Sequence, residues 1–254
     1  MSFSKPKVEN PCKKYIEFKG DKGIWQYYDK EAEEKKEFMC PFYFVVLDEL
    51  STIKGFSDRH QSGIYSNEVH SLTNEILRVK SFKGDVSIVG KYSEIKPEIV
   101  AAGGKFTKSV YALIFNEQFE TELVNFQLSG VAFGAWMNVK FNQQMHCIKV
   151  DGEVEQGQKG SIKYKIPMFQ RKALPEQIIP KAIEMDKILQ DYLKQRAAEY
   201  VEKAVQEEHE GLQEYKTDAE TFHETNYEQD KGTVYGSDGN AINDLRPEDD
   251  GLPF

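Results

Sequence analysis

Short runs of β-branched and aromatic residues, separated by Gly, Asn, Asp or Ser, follow one another along the first two thirds of the chain. They are "EFMCPFYFVVLDEL", "SGIYSNEV", "EILRVKSF", "GDVSIVGKYSEI", "KSVYALIF", "TELVNFQLSG" and "MHCIKVDGEV". Val, Ile, Phe and Tyr favour strands, and the small polar residues between the runs favour turns. Several short strands joined by turns are typical of a barrel or a sandwich. The first 170 residues or so are therefore predicted to form a mainly β domain.

The next segment, "GSIKYKIPM", has the clearest two-residue period. Lys163 and Lys165 fall on one face of the predicted strand, and the other face holds Ile162, Tyr164, Ile166 and Met168. Because Pro167 cannot donate a hydrogen bond, the strand is expected at a sheet edge or near its own end. The preceding "HCIKVDGEVE" and the connecting "QGQKG" predict a hairpin.

Between about Pro180 and His209 the apolar period changes from two residues to three and four. This stripe predicts an amphipathic helix, and its central residues are Ala182, Met185, Leu189, Leu193, Arg196, Tyr200 and Ala204. Pro180 is tolerated in a first turn, and Gly211 is a plausible stop. A helix of about 30 residues is roughly 45 Å long. Its stripe has to be buried on the β domain or on another copy of the chain.

Acidic residues are concentrated at the C-terminal end. Residues 207–254 contain 14 acidic and three basic side chains, a net charge of 3 − 14 = −11, so residues 1–206 carry −9 + 11 = +2. Aliphatic residues nearly vanish after Gly211, and such a composition cannot offset the entropy of ordering. The segment 211–254 is therefore predicted to be disordered, whereas the body is compatible with a nucleic-acid partner.

The cysteines and the apolar runs narrow the class of protein. Cys12, Cys40 and Cys147 are far apart and show no CxxC spacing, so they predict reduced thiols and neither a disulfide framework nor a zinc knuckle. The longest apolar runs, "FYFVVL" and "VAFGAWM", are far shorter than the roughly 20 residues of a membrane span. A cytoplasmic protein without a membrane contact and without a cofactor is expected.

Catalytic motifs are weak in this sequence. The segment "AAGGKFTKS" lacks the first Gly of a phosphate loop and the Ser or Thr that must follow its Lys. Asp48, Glu49, Asp58 and His60 are the candidates for a metal-dependent nuclease, but their spacing fixes no geometry. A non-enzymatic protein is the expectation, and a metal-dependent DNA-processing nuclease is the alternative.

Aromatic and basic residues recur together along the β region. Single-stranded nucleic acid is held by this mixture, because bases stack on flat rings and lysines follow the phosphates. The candidate stacking residues are Trp25, Tyr27, Tyr28, Tyr65, Tyr92, Tyr111 and Trp136. The candidate phosphate contacts are Lys54, Lys91, Lys105, Lys108, Lys163 and Lys165.

The chain ends in "RPEDDGLPF", which places an apolar ring and a free carboxylate behind a run of acids. An acidic segment with such an end can insert its last residue into a pocket of a partner beside an Arg or a Lys. It can also lie across a basic groove of its own chain until nucleic acid displaces it. The candidate docking residues are Asp249, Asp250, Leu252, Pro253 and Phe254.

Two segments resemble known families. "EDDGLPF" resembles the acidic tip of bacterial single-stranded DNA-binding proteins, with Leu252 where Ile is usual. "FVVLDELSTIKGFSDRHQSGIYSNEV" together with "KSVYALIF" resembles phage-encoded single-stranded DNA-binding proteins of the OB type. The resemblance implies an OB-like, Greek-key β-barrel that binds single-stranded DNA without strong sequence preference during phage DNA replication, recombination and repair. It also implies that the tip recruits a polymerase, helicase, primase or recombinase.

The expected organisation has three parts: an OB-like β domain over 1–170, an amphipathic helix within 171–210, and a disordered acidic tail over 211–254. The stripe of the helix leaves a homo-oligomer open. A non-enzymatic adaptor or virion scaffold, with the helix as its oligomer seam, is the second alternative.

Overall fold

The protein is mainly β and ends in a long helix. The computed structural model describes residues 9–139 and 142–221, and the side chains of these residues up to 201. Its strands are β1 (Lys14–Lys19), β2 (Ile24–Asp29), β3 (Glu34–Glu37), β4 (Phe42–Ser57), β5 (Ser62–Ser66), β6 (Leu77–Ser81), β7 (Ser87–Gly90), β8 (Gly104–Phe115), β9 (Thr121–Leu128), β10 (His146–Val150), β11 (Val154–Lys159), β12 (Ile162–Pro167) and β13 (Gln170–Ala173). Its α-helices are α1 (Tyr92–Ala101), α2 (Gly130–Met137) and α3 (Ile179–Thr221).

Eleven of the strands form one sheet, in the order β3-β2-β1-β9-β8-β4-β5-β6-β7. Strand β10 joins the first half of β4 and carries β13, while β11 and β12 form a separate hairpin. In the described residues the outer strands β3 and β7 do not pair with each other, so the sheet is open. The mainly β architecture is therefore confirmed, and the closed OB-like barrel is not.

One side of the sheet, called the back face here, is covered by two separate cores. The larger core contains Trp25, Phe42, Phe44, Phe126 and Trp136, and α2 closes it. The smaller core lies under the β4–β7 half of the sheet, where α1 contributes Ile95 and Ile99. Burying a large apolar side chain stabilises a fold by about 1.5–3 kcal/mol, so both cores hold this face against its helices.

Helix α3 covers the middle of the opposite side, called the front face here. Ile178, just before the helix, and Ala182 in its first turns pack against Val45 and Leu113, and Leu189 lies further along. The part of the amphipathic helix up to Arg196 therefore packs on the body of its own chain. Residues up to Ala204 form one compact unit, and only the helical course of 205–221 is described for the second unit.

The front face is also fastened by a buried ion pair. The carboxylate of Glu68 accepts hydrogen bonds from Ser109 Oγ at 2.5 Å, Tyr111 Oη at 2.8 Å and Arg196 Nη1 at 2.9 Å. The Glu68 side chain is only 8% exposed. Because a buried carboxylate is costly without donors, this cluster fixes α3 at a defined position on the sheet.

Most predicted segments match an observed element, with four differences. Strands β1–β3, strand β13 and helix α2 were not predicted. The run "GDVSIVGKYSEI" contains only the four-residue β7, because α1 begins at Tyr92. The predicted hairpin exists, but "QGQKG" belongs largely to β11, and the turn lies around Gly160 and Ser161. Helix α3 begins one residue before Pro180, as expected, and continues past Gly211 to Thr221.

None of the helices in the described residues has both the length and the apolar character that crossing a bilayer needs.

Candidate nucleic-acid interface

A row of three lysines and one tyrosine crosses the front face of the sheet. The pairing register places Lys105 beside Lys54, Lys54 beside Tyr65, and Tyr65 beside Lys80. Side chains directly opposite each other on neighbouring strands lie on the same face of a sheet. With strands about 4.8 Å apart, the row from Lys105 to Lys80 spans roughly 15 Å.

A flat aromatic platform lies next to this row. The ring of Phe82 stacks on that of Tyr65, with centroids 4.7 Å apart and planes inclined by 26°. Phe82 is 77% exposed although it is a large apolar residue. A Cβ atom added to Gly63 would lie 2.8 Å from the Phe82 ring, so the ring rests directly on the backbone of that glycine. The platform is therefore held in place from below and presents its surface to solvent.

Two further residues of the front face extend the platform and the row. Phe56 is 52% exposed and lies opposite Gly63 on the neighbouring strand. Arg78 lies on the same face as Lys80, two residues earlier in β6. These side chains together are called the aromatic–basic patch, which consists of Lys54, Phe56, Tyr65, Arg78, Lys80, Phe82 and Lys105.

Lys54 occupies an enclosed position in the patch. Its ammonium lies 5.3 Å from the centroid of the Tyr15 ring. Burial lowers the pKa of Lys54, and the nearby Glu68 carboxylate offsets part of this effect. A phosphate placed beside this ammonium would favour its charged form and raise its pKa again. Lys54 is thus suited to pairing with an anion that approaches from solvent.

Three of the predicted stacking residues belong to the interior, which corrects their assignment. Trp25 is 2% exposed and is surrounded by the rings of the larger core. Trp136 is 4% exposed, and its indole donates a hydrogen bond to Glu49 at 2.6 Å. Tyr111 is fully buried and donates to Glu68. A base cannot stack on these rings in this conformation, because other side chains already cover them.

The remaining predicted aromatics separate into different parts of the molecule. Tyr65 lies in the patch. Tyr27 is half-buried at the margin of the larger core, with its ring beside Phe38. Tyr28 is 53% exposed, but it lies on β2, which is five positions from β5 in the order of the sheet. Tyr92 begins α1 and packs near Phe106 on the back face.

The predicted lysines separate in the same way. Lys54 and Lys105 are in the patch. Lys108 alternates with Ser109 in β8 and so lies on the back face, and Lys91 precedes α1 there. Lys163 and Lys165 are on the separate β11–β12 hairpin.

Lys165 makes contacts that anchor this hairpin. Its ammonium donates to the carbonyl of Lys22 at 2.8 Å, and its backbone N–H donates to the carbonyl of Gly20 at 2.7 Å. Its alkyl chain also covers Gly23. The side chain therefore fastens the hairpin to the β1–β2 turn and is not arranged for a phosphate.

Sequence reasoning missed four members of the patch: Phe56, Arg78, Lys80 and Phe82. A signal was present in "LRVKSF", where Arg78, Lys80 and Phe82 alternate with three buried residues. This is the two-residue period of a half-buried strand. Phe56 had no such signal, because it lies near the end of the long and largely buried β4.

The candidate metal ligands do not converge on one point. Asp48 faces α3 and accepts from Gln190 at 2.9 Å, whereas Glu49 faces the back core and accepts from Trp136. Asp58 and His60 lie in the turn between β4 and β5. Within the described part of the chain, no group of three or more His, Cys, Asp or Glu side chains is arranged to hold a metal ion. The geometry that a metal-dependent nuclease needs is therefore not found among these candidates.

The predicted docking residues Asp249, Asp250, Leu252, Pro253 and Phe254 lie outside the described residues. Their role stays a prediction from the sequence.

Comparisons with known proteins give no family. No protein-family model matches this chain, and neither a curated protein nor a solved structure matches it.

Proposed function

We propose that this protein binds single-stranded DNA without strong sequence preference, and that the aromatic–basic patch is the surface that binds it. The resemblance of two sequence segments to single-stranded DNA-binding proteins supports the further proposal that this activity serves the replication, recombination and repair of phage DNA.

The observation that carries the proposal is the stacked pair of Tyr65 and Phe82 between Lys54 and Lys80. A solvent-exposed ring with a supported underside can accept a base on its free surface, which is worth about 1–3 kcal/mol for each base. The neighbouring ammonium groups can pair with the phosphates on either side of that base. The high exposure of Phe82 favours a ligand for this ring over a role in the core.

The patch also explains the expected lack of sequence preference. Rings and lysines contact the faces of bases and the phosphates, which are common to all nucleotides. A duplex hides the faces of its bases inside the stack, so it can use only the lysines of the patch. Binding should therefore be much stronger to a single strand than to a duplex.

The acidic C-terminal tip has a separate role in the proposal. Pro253 and Phe254 dock into a partner enzyme of DNA replication or recombination, while Asp249 and Asp250 supply the long-range attraction. Deletion of the last residues is expected to leave the affinity for single-stranded DNA unchanged or raised and to abolish recruitment. Weaker DNA binding after this deletion would contradict a masking role of the tail.

The test is a titration of a fluorescently labelled oligo(dT) with the full chain, followed by anisotropy at two salt concentrations. A duplex of equal length is titrated in parallel. A label on the DNA is needed because Trp25 and Trp136 are buried, so that their fluorescence would not report stacking. Strong, salt-weakened binding of oligo(dT) and weak binding of the duplex are expected. Equal affinities, or no binding of oligo(dT), would overturn the proposal.

A matched pair of lysine variants locates the interface. Lys105→Gln removes an exposed cation from the patch, and Lys163→Gln removes one from the β11–β12 hairpin. Each lost phosphate contact should reduce the slope of log affinity against log salt by about 0.7 for a single strand. Lys105→Gln is expected to show this reduction and Lys163→Gln is not. The opposite pattern would place the DNA on the other side of the molecule.

A further inference from the structure

Strand β7 leaves part of its backbone without a partner at one edge of the sheet. The Ser81 N–H donates to the Val86 carbonyl at 3.1 Å, and this bond shows which residue pairs of the β6–β7 ladder are hydrogen-bonded. Hydrogen-bonded and non-hydrogen-bonded residue pairs alternate along an antiparallel ladder. The backbone N–H and C=O groups of Ile88 therefore point toward Val79 of β6, whereas those of Ser87 and Val89 point away from the sheet. Among the described residues, no backbone bond reaches these outward groups.

Apart from its length of four residues, this edge lacks the devices that usually protect a free strand. The strand reads Ser-Ile-Val-Gly and contains no charge, and Val89 is 49% exposed. Natural sheets protect their free edges with charged residues, proline or covering elements. The opposite edge follows that rule, because β3 reads Glu-Lys-Lys-Glu.

We propose that β7 pairs with β7 of a second copy of this chain, antiparallel and about a two-fold axis at Ile88. Ser87 of one copy then lies opposite Val89 of the other, so that the outward groups form four backbone hydrogen bonds. The two Ile88 residues lie directly opposite each other as a non-hydrogen-bonded pair, with Cα atoms about 4.5 Å apart.

The β3 edge is less suited than β7 to such a symmetric pairing. Symmetric pairing of β3 with β3 about Lys36 would place Lys35 opposite Glu37 but the two Lys36 side chains directly opposite each other, and like charges directly opposite each other are destabilising. Pairing of β7 with β3 would leave a free edge on each copy and would therefore continue into a filament. The β7–β7 pair is uncharged and closes after two copies.

The pairing would also join two DNA-binding surfaces. An axis perpendicular to the sheet keeps the front faces of both copies on the same side, and Lys80 and Phe82 are only one strand away from the shared edge. The two patches would thus form one continuous surface. This consequence depends on the proposed function, whereas the pairing itself does not.

Cysteine cross-linking tests the register. Ile88→Cys places two thiols within disulfide reach across the axis, since a disulfide needs Cα atoms about 4.4–6.8 Å apart. Ser87→Cys is the matched control, because its counterpart lies opposite Val89 and not opposite itself. Under mild oxidation of the full chain at high micromolar concentration, Ile88→Cys is expected to become mostly covalent dimer. Ser87→Cys should stay at the background of the wild type, which has three cysteines of its own.

Equal cross-linking of the two variants, or none for either, would overturn the proposed pair. A second variant covers the case in which the new cysteine disturbs the core. Val89→Pro removes an outward N–H and leaves the β6–β7 ladder intact, as proline is tolerated at an edge. Sedimentation velocity is expected to show a concentration-dependent dimer for the wild type and a monomer for Val89→Pro. Val100→Lys, which removes an exposed apolar side chain from α1, should still dimerise.

A wild type that stays monomeric, or a Val89→Pro variant that dimerises like the wild type, would refute the pairing. Anisotropy with a short oligo(dT), long enough for one copy only, is measured on the same samples. If the dimer is lost and the oligo(dT) still binds, the proposed function is retained. If the dimer forms and the oligo(dT) does not bind, the β7–β7 pairing is retained.

Discussion

The strongest structural prediction concerns the ion pair that holds α3 on the front face. Arg196→Met keeps the alkyl chain of the arginine but removes the guanidinium, which lies 2.9 Å from the Glu68 carboxylate. Removing one partner of a fully buried pair costs about 3–5 kcal/mol, and an exposed pair is worth about 0–1 kcal/mol. Because Glu68 is 8% exposed and Arg196 is 28% exposed, a loss of about 2 kcal/mol in the free energy of unfolding is expected.

Urea unfolding followed by circular dichroism measures this loss. Lys36→Met is the matched control, because it breaks the exposed pair with Asp29 at the β2–β3 edge and should cause no measurable change. The double variant Glu68→Gln with Arg196→Met should recover part of the stability, since the buried charge is then absent as well. A loss for Arg196→Met no larger than that of Lys36→Met would refute the reasoning. A double variant with strictly additive losses would refute it as well.

Three further predictions follow from the geometry of single residues. Gly63→Ala should displace the Phe82 ring and weaken binding of oligo(dT) severalfold in an anisotropy titration, whereas Gly134→Ala, which meets no neighbouring atom, should not. Burial raises the pKa of Cys12 to about 12, so its thiol should resist iodoacetamide at pH 8 in the folded protein and react in urea, as peptide mass mapping can show. Burial also raises the pKa of Tyr15 to about 12, above the ordinary tyrosine value of about 10. The folded state then retains a proton that the unfolded state loses, so the stability of the wild type should fall between about pH 10 and 12 more steeply than that of Tyr15→Phe.

The sequence predicts the strands well where only one face of the sheet is buried. In "LRVKS" the buried and partly exposed positions alternate, and the strand is found where expected. In β8 the alternation vanishes, because Val110, Tyr111, Ala112 and Leu113 are all fully buried between the back core and α3. A tyrosine in such a strand cannot be assigned to the core or to the surface from the sequence alone. That is why Tyr111 was placed wrongly among the stacking residues.

The helices and the long-range contacts show where local signals end. Helix α1 contains Pro97, and its run after Gly90 has the composition of a strand continuation, so its helical course depends on packing Ile95 and Ile99 against the sheet. Glu68 and Arg196 are 128 positions apart, and nothing near either residue indicates the other. Charge and aromatic content indicated a nucleic-acid surface, but only the pairing register groups Lys54, Tyr65 and Lys105 into one patch.

The most direct test of the central claim is the affinity of the double variant Tyr65→Leu with Phe82→Leu for a labelled oligo(dT), measured by anisotropy at low salt. Loss of the platform should cost the stacking of one base, about 1–3 kcal/mol, which corresponds to roughly a 5- to 150-fold weaker affinity. Tyr28→Leu, an exposed tyrosine of the same face but distant from the patch, is the control and should bind like the wild type. An unchanged affinity of the double variant, with its folding confirmed by circular dichroism, would contradict the assignment of this patch as the DNA-binding surface.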